Sequence, residues 1–293
     1  MAKPLAKNQP HSLLGAHNSI AGGLHLALEE AARLRAGAVQ IFTKSSNQWA
    51  AKPLDTETIA LFRDANETLG PFEMAAHSSY LINLGSPDDT LWRKSIDALV
   101  IEIERCELLQ IPRLVFHPGA HMGAGEDAGL ARVATAMREA LASTSGYRTR
   151  LTIENTAGQG SCLGHRLEHI ERLLQHLDGD VRVTVCLDTC HLLAAGYDYR
   201  AAEGYAGIRE ELATRIGLER VDWFHLNDSK KDLGSRVDRH THIGEGFVGA
   251  NAFKHFLTDS AFRKVPMVLE TPKDDGADAR NLAKLRRLSR VAV

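Results

Sequence analysis

Short apolar, strand-like runs recur along the chain, and each is followed by a stretch whose apolar residues return with a helical period. The runs are LLGAH near residue 13, AVQIFT near 38, FEMAAH ending at His77, LVFH at His117, LTIE at Glu154, VTVCLD at Asp188, WFHL around His225 and MVLE at Glu270. The clearest helix follows Ser86 and Pro87. There Trp92, Ile96, Leu99, Ile103 and Cys106 step by four, three, four and three and share one stripe. Ser86 suits the N-cap and Pro87 the first helical position, where its missing N–H costs little. A second helix, from about Gly164, turns Leu167, Ile170, Leu174 and Leu177 inward. Roughly eight mostly apolar strands, each followed by a helix, predict an α/β protein: a single parallel (β/α)8 TIM barrel, not an open sheet.

Strand parity then sorts the side chains. In LTIE, Leu151 and Ile153 oppose Thr152 and Glu154; in VTVCLD, Val183, Val185 and Leu187 oppose Thr184, Cys186 and Asp188. Large aliphatic residues are expected to face the helices, and His, Asp and Glu to face the barrel axis. Because the polar residues close their strands, they fall at the C-terminal face, where such barrels carry their active sites.

Composition leaves this picture intact. The 293 residues, 44% hydrophobic and 25% charged, suffice for one large core, and barrels of this type use about 200–250 residues as a unit. No Pro/Gly/Ser tract or charge block marks a linker, so residues 12–293 are expected to form one domain behind a flexible tail, 1–11. The opening segment lacks an apolar signal-like region, and no run approaches the roughly 18 apolar residues of a membrane span. A cytoplasmic monomer with no membrane contact is expected. The net charge of −2 argues against a generally basic nucleic-acid coat, although bound divalent ions would create local positive charge. Cys106, Cys162, Cys186 and Cys190 form no zinc-knuckle pairs and read as reduced thiols. Cys186 and Cys190 flank Asp188, but small buried side chains suit them better than ligation.

The strand-end residues are the candidate chemistry. His77, His117, Glu154, Asp188, His225 and Glu270 close successive runs, and His191, Asp238 and His240 lie in loops just beyond. Any one buried His is ordinarily a hydrogen-bonded core residue. Several at equivalent strand ends are different, because burying imidazoles beside uncompensated carboxylates costs several kcal/mol per ion unless a cation pairs them. Asp188 with His191, and Asp238 with His240, are each spaced to reach one ion. A polynuclear metal site follows, with zinc favoured by a His/carboxylate set.

Longer stretches carry a family resemblance: HSSYLINLGSP at 77, FHPGAH at 116, ENTAGQGSCLG at 154, CLDTCHLLAAGYD at 186, FHLNDSK at 224, SRVDRHTHIGEG at 235 and LET at 269. From about Leu13 to the C-terminus the chain resembles endonuclease IV, the zinc-dependent abasic-site nucleases. The resemblance implies three Zn2+ ions. The first would be held by His77, His117 and Glu154; Glu154 would bridge to a second, also held by Asp188, His225 and Glu270; His191, Asp238 and His240 would hold the third. It also implies that Glu154 orients or deprotonates the attacking water. The substrate implied is double-stranded DNA with an abasic site, cut on the 5′ side to leave a 3′-hydroxyl, with removal of blocked 3′ ends as a second activity. Tyr80 and Leu81, just past His77, would enter the duplex and hold the abasic nucleotide out of the stack. Well-known relatives place an Arg wedge where this chain has Asn47; Asn47 is shorter and neutral, and Gln48 or Trp49 could compensate. Arg236 and Arg239, with Lys230 and Lys231, are expected phosphate contacts. Asn155, Gly158, Gln159 and Gly160 form a small-residue loop that allows close approach. His17 closes the first strand as a further candidate DNA contact, His121 and His242 carry no assignment, and His165 and His169 read as helix residues.

Two competitors remain. A sugar isomerase on a related metal barrel also gathers His and carboxylates at strand ends, but needs only one or two metals and no exposed Tyr80–Leu81 pair. A non-catalytic lesion binder would have no need of both Glu154 and Glu270.

Overall fold

The computed structural model describes residues 13–290; the expected tail, 1–11, lies outside the described residues. All eight runs become strands. They are β1 (Leu14–His17), β2 (Ala38–Phe42), β3 (Glu73–His77), β4 (Arg113–Phe116), β5 (Arg150–Glu154), β6 (Val183–Asp188), β7 (Val221–His225) and β10 (Met267–Leu269), and they close a barrel in the order β1-β10-β7-β6-β5-β4-β3-β2. Every pairing around the barrel is parallel. The expected (β/α)8 TIM barrel is therefore the fold.

The connections are α1 (Leu24–Arg33), α2 (Thr56–Leu69), α3 (Asp89–Leu109), α4 (Glu126–Ser143), α5 (Leu167–His176), α6 (Thr189–Ala195), α7 (Ala202–Arg215), α8 (Phe253–Thr258) and α9 (Ala277–Leu288). Two additions enlarge the C-terminal face. After β6 the short α6 precedes α7, and after β7 an antiparallel pair, β8 (Asp228–Ser229) with β9 (His240–Thr241), precedes α8. One boundary differs from expectation: the N-cap of α3 is Asp88, which accepts Leu91 N–H at 2.7 Å, while Ser86 Oγ accepts Asp88 N–H at 3.2 Å. A carboxylate stood two residues further on, and it satisfies an orphan donor of the first turn.

Parity holds apart from a register shift between β6 and β7 at Val185/Cys186, which leaves Val221 in the outer core with Phe224. Leu114, Leu151, Ile153, Val183, Val185, Leu187 and Phe224 belong to the large core between sheet and helices. Ala38, Ala75, Val115, Cys186, Trp223 and Val268 form a separate buried cluster from the inward positions of six strands. Gly15 falls in register between Ala38 and Val268, and a Cβ there would lie 1.7 Å from Ala38 O, so that wall of the barrel admits no side chain. The interior is thus layered. Below the apolar layer, Arg113 pairs with Glu73 at 2.9 Å and Asp222 at 3.0 Å and sets its guanidinium 5.3 Å from the Trp223 ring centre. Above it stand the polar strand ends.

Trp223 is the largest side chain of the inner layer and fully buried. Trp223→Ala is expected to cost about 3–5 kcal/mol and lower Tm by roughly 6–20 °C, read by circular dichroism. An unchanged Tm would show that the barrel floor does not carry the layer above.

Candidate metal centre

The chemistry of the mouth begins with β5. Its inward residues are Thr152, which meets Thr184 Oγ1 at 3.0 Å, and then Glu154, fully buried at the strand end. Four imidazoles surround the Glu154 carboxylate. Oε2 lies 3.1 Å from His77 Nε2 and 3.2 Å from His117 Nε2; Oε1 lies 2.9 Å from His225 Nδ1 and 3.3 Å from His191 Nδ1. His225 Nδ1 also faces Glu270 Oε2 at 3.2 Å and Asp188 Oδ2 at 3.9 Å. Asp238 stands between His191 Nε2 and His240 Nε2, 3.2 Å from each. The nine sequence-derived positions therefore meet in one cluster, and the two loop pairs reach it from α6 and the β8–β9 region.

Local structure explains how the pairs arrive there. Asp188 ends β6 and caps α6, its Oδ1 accepting His191 N–H at 2.8 Å, so a single turn brings His191 back over the barrel. β9 pairs with β8 through Asp228–Thr241 and Ser229–His240, which folds the Asp238–His240 loop across the mouth.

The hydrogen bonds at the rear of the rings decide what the front can do. His77 Nδ1 lies 2.8 Å from Ser78 O, His240 Nδ1 3.2 Å from Glu270 O, and His225 Nε2 2.8 Å from Gln40 Oε1. Each of these oxygens accepts a proton, which assigns the N–H to the rear nitrogen and leaves the front one as a lone pair. His191 follows the same rule, with Nδ1 2.9 Å from Asn155 O and Nε2 in front. Lone pairs aimed at carboxylate oxygens repel, and a cation between them converts repulsion into ligation. His191 Nε2 and His240 Nε2 are buried with no hydrogen-bond partner, as ligand atoms are before an ion binds. The donor set fits a borderline divalent cation.

Protons compete for the same positions. Burial disfavours a charged His77, but the Glu154 and Glu270 carboxylates outweigh it and lift its pKa to about 9. His191 and His240, opposed by burial in the same way, are held well above their ordinary value by Asp188 and Asp238. Burial raises Glu154 and Glu270, yet the surrounding imidazoles bring both below the carboxylate range. Metal affinity at such a site falls as protons are added.

Sequence reasoning missed Gln40 and Asn227, and read Asn155 only as part of a small-residue loop. Gln40 Nε2 donates to Glu270 Oε1 at 2.7 Å while its Oε1 takes the His225 proton. Asn227 Nδ2 donates to Asp188 Oδ2 at 2.7 Å and its Oδ1 accepts Glu270 N–H at 2.8 Å; Asn155 Oδ1 accepts Asp188 N–H at 2.7 Å. The readable signal was parity, since Gln40 is a polar residue on the inward face of an otherwise apolar strand. His17 bonds Glu270 Oε1 at 3.0 Å from within the mouth, and still borders the adjoining hollow. His121 Nδ1 accepts N–H groups of Gly123 and Gly125, and His242 binds Asp274 and Asn281, so both organise loops. His165 and His169 are buried beside Glu126. In that trio both ring nitrogens of His169 are already engaged: Nδ1 accepts Gly164 N–H at 3.2 Å, and Nε2, which faces Glu126, accepts the Arg166 Nε–H at 3.1 Å. The cysteines are free, and burial raises the Cys186 thiol well above its ordinary value, consistent with packing.

Tyr80 stands at the rim, 62% exposed, between a hollow of about 670 Å3 on the His17 side and one of about 600 Å3 on the His117 side. Leu81 beside it is half-buried. Gly158, Gln159, Gly160 and Arg239 line the second hollow. Asn47 and Arg236 are exposed on neighbouring loops but line neither hollow.

Fold and site together define a metal-dependent enzyme on a (β/α)8 barrel, and residues 28–290 match the family model described as a xylose isomerase-like TIM barrel. Within that class the chain belongs to the endonuclease IV family. It is 49% identical over 281 residues to the probable endonuclease 4 of Chloroflexus aggregans, covering 95% of this chain and 98% of that protein. The crystal structure of endonuclease IV from Thermus thermophilus superposes with a TM-score of 0.84 at 38% identity, covering 94% of this chain and 98% of that one. A D-tagatose 3-epimerase-like protein (TM-score 0.72, 16% identity, 94% and 96% covered) shares the fold alone.

Gln40→Leu keeps the volume but removes the acceptor for His225 and a donor to Glu270. Metal affinity, read by chelator-competition titration, is expected to fall about 10- to 100-fold. Equal affinity would mean that rear contacts do not orient these ligands.

Proposed function

We propose that the chain is a DNA-repair endonuclease that hydrolyses the phosphodiester bond 5′ to an abasic site, leaves a 3′-hydroxyl, and clears blocked 3′ ends. The observation that carries this reading is the carboxylate–imidazole cluster at an open barrel mouth, in a chain of the endonuclease IV family. Three zinc ions fit the donors. His77, His117 and Glu154 would hold one; Glu154, Asp188, His225 and Glu270 a second; His191, Asp238 and His240 the third. When bound, the ions supply the concentrated positive charge that a phosphodiester anion requires and the acidification of water that yields a nucleophile at neutral pH.

The protein's own groups supply position. Glu154 stays ionised because its imidazole neighbours outweigh the effect of burial, so it accepts hydrogen bonds from the attacking water. A carboxylate held so low is a weak base, and orientation is its larger contribution. His117 and Asp238 are the more exposed members, with side-chain exposures of 32% and 39%, and mark the side open to substrate. Tyr80 and Leu81, at the rim, would fill the space of the missing base, with flipping easiest where pairing and stacking are already lost. Asn47 and Arg236, exposed on neighbouring loops, and Arg239, beside the ligands, would contact the DNA backbone. Among the described residues no helix is long and apolar enough to cross a membrane. We assign the chain to the cytoplasm as a monomer.

The sugar-isomerase alternative rests on fold likeness at 16% identity. Two open hollows beside an exposed Tyr80 suit a polymer better than a small sugar, which is bound by enclosure.

Duplex DNA carrying one abasic site should be cut 5′ to the lesion by the purified protein. Cutting should stop with a strong chelator, and metal analysis should give close to three zinc ions per chain. Metal-loaded protein that leaves the duplex intact but interconverts sugars would replace this reading with the isomerase. Tyr80→Ala combined with Leu81→Ala should reduce incision at least tenfold with metal content preserved; unchanged incision would remove the wedge role.

A further inference from the structure

Next to the cleft over the metal cluster lies a third hollow of about 570 Å3, lined by Lys230, Lys231, Arg239, Glu245, Gly246 and Phe247. Arg239 lines both, and so joins them. Phe247 is 49% exposed, and Lys230, Lys231 and Arg239 are exposed as well. Among the described residues no ion pair engages these three cations.

The phenyl ring is not there through slackness of the loop. Phe247 N–H donates to Ser229 O at 2.8 Å, and the buried Asp228 carboxylate accepts Gly244 N–H at 2.8 Å and Val248 N–H at 2.9 Å on either side of it. A Cβ on Gly246 would lie 2.2 Å from Ser229 O and 2.5 Å from Asp228 Oδ1, so the turn that presents the ring requires glycine. A large apolar side chain is thus held in solvent by a rigid seat. Three uncompensated cations surround it.

We propose that this hollow binds an unpaired nucleotide of the DNA strand that leaves the catalytic cleft. The base stacks on Phe247, and its phosphates lie against Lys230, Lys231 and Arg239. The proposal rests on the nuclease reading above and adds a substrate feature to it. A paired duplex offers only its backbone to such a surface, whereas a ring face gains by stacking only on a base whose own face is free. Cations alone would suit either form; the ring selects the unpaired one. Glu245, the acid of the lining, repels phosphate from its own edge and so favours the Lys230–Lys231 side.

The test compares two labelled duplexes with one abasic site each, one fully paired and one with a short single-stranded segment flanking the lesion, prepared on either side in turn. Binding is measured by fluorescence anisotropy with metal-loaded protein. For one placement the unpaired segment should tighten binding about tenfold, and Phe247→Ala should abolish that gain with Tm unchanged. Lys230→Ala with Lys231→Ala should flatten the salt dependence of the same complex. The proposal is overturned if neither placement binds tighter than paired duplex, or if Phe247→Ala keeps the gain. Failure of the wild-type protein to incise either duplex would refute the nuclease reading separately, since the binding comparison needs no turnover.

Discussion

The site depends on one electrostatic constraint: the Glu154 carboxylate faces His77 Nε2 and His225 Nδ1, whose ring protons are drawn away behind them, and such an arrangement persists only with positive charge between the partners. Protons or metal ions can supply it. Protein charges alone already hold His77 near 9, so without metal the cluster draws protons instead. The hydrogen bonds that the rings donate to the Ser78, Asn155 and Glu270 carbonyl oxygens and the Gln40 amide oxygen favour metal by fixing the ring tautomers before any ion arrives. Preorganisation of this kind removes part of the ordering entropy that binding would otherwise cost.

The barrel makes the arrangement rigid. Trp223 and the small inward residues of its layer fill the interior, so the polar strand ends above have a packed floor and cannot retreat. Parallel register sets Asp188 beside His225 across β6 and β7, and closure of the barrel brings His77 and His225 against opposite oxygens of Glu154. His117 and Glu270 directly follow β4 and β10, and His191, Asp238 and His240 come from the insertions beyond β6 and β7, where Asp188 caps α6 and Asp228 anchors the turn that follows β9. Asp228 touches no ligand, yet it accepts backbone donors that keep the Asp238–His240 loop and the Phe247 turn in place.

Family membership and geometry answer different questions. Low-identity neighbours on this fold handle sugars by their names, so the barrel itself does not select the reaction. On the proposed reading selection lies in the rim: Tyr80 at the edge of the cluster, the glycine-bearing loop after Glu154, and the cationic hollow past Arg239. Asn47, short and neutral, sits exposed on its loop, whereas Tyr80 puts a large ring at the rim.

Periodicity and strand parity determined more than is usual for a chain of this length. Barrel strands are buried on both faces and end in functional residues, so the eight runs, their inward faces and the ligand positions were legible from local pattern and family resemblance. The same reading missed Gln40 and Asn227 and gave Asn155 only as part of a loop, because an amide announces no chemistry until its partners are known. It gave His165 and His169 only as helix residues, and overlooked the Glu126 contact that holds them. Those facts belong to tertiary structure alone. A hydrogen bond between Gln40 and His225 joins positions 185 residues apart, and only closure of the sheet sets that distance at 2.8 Å. Residue type and spacing decide which groups can be ligands, whereas the nitrogen each ring presents depends on acceptors contributed by other strands.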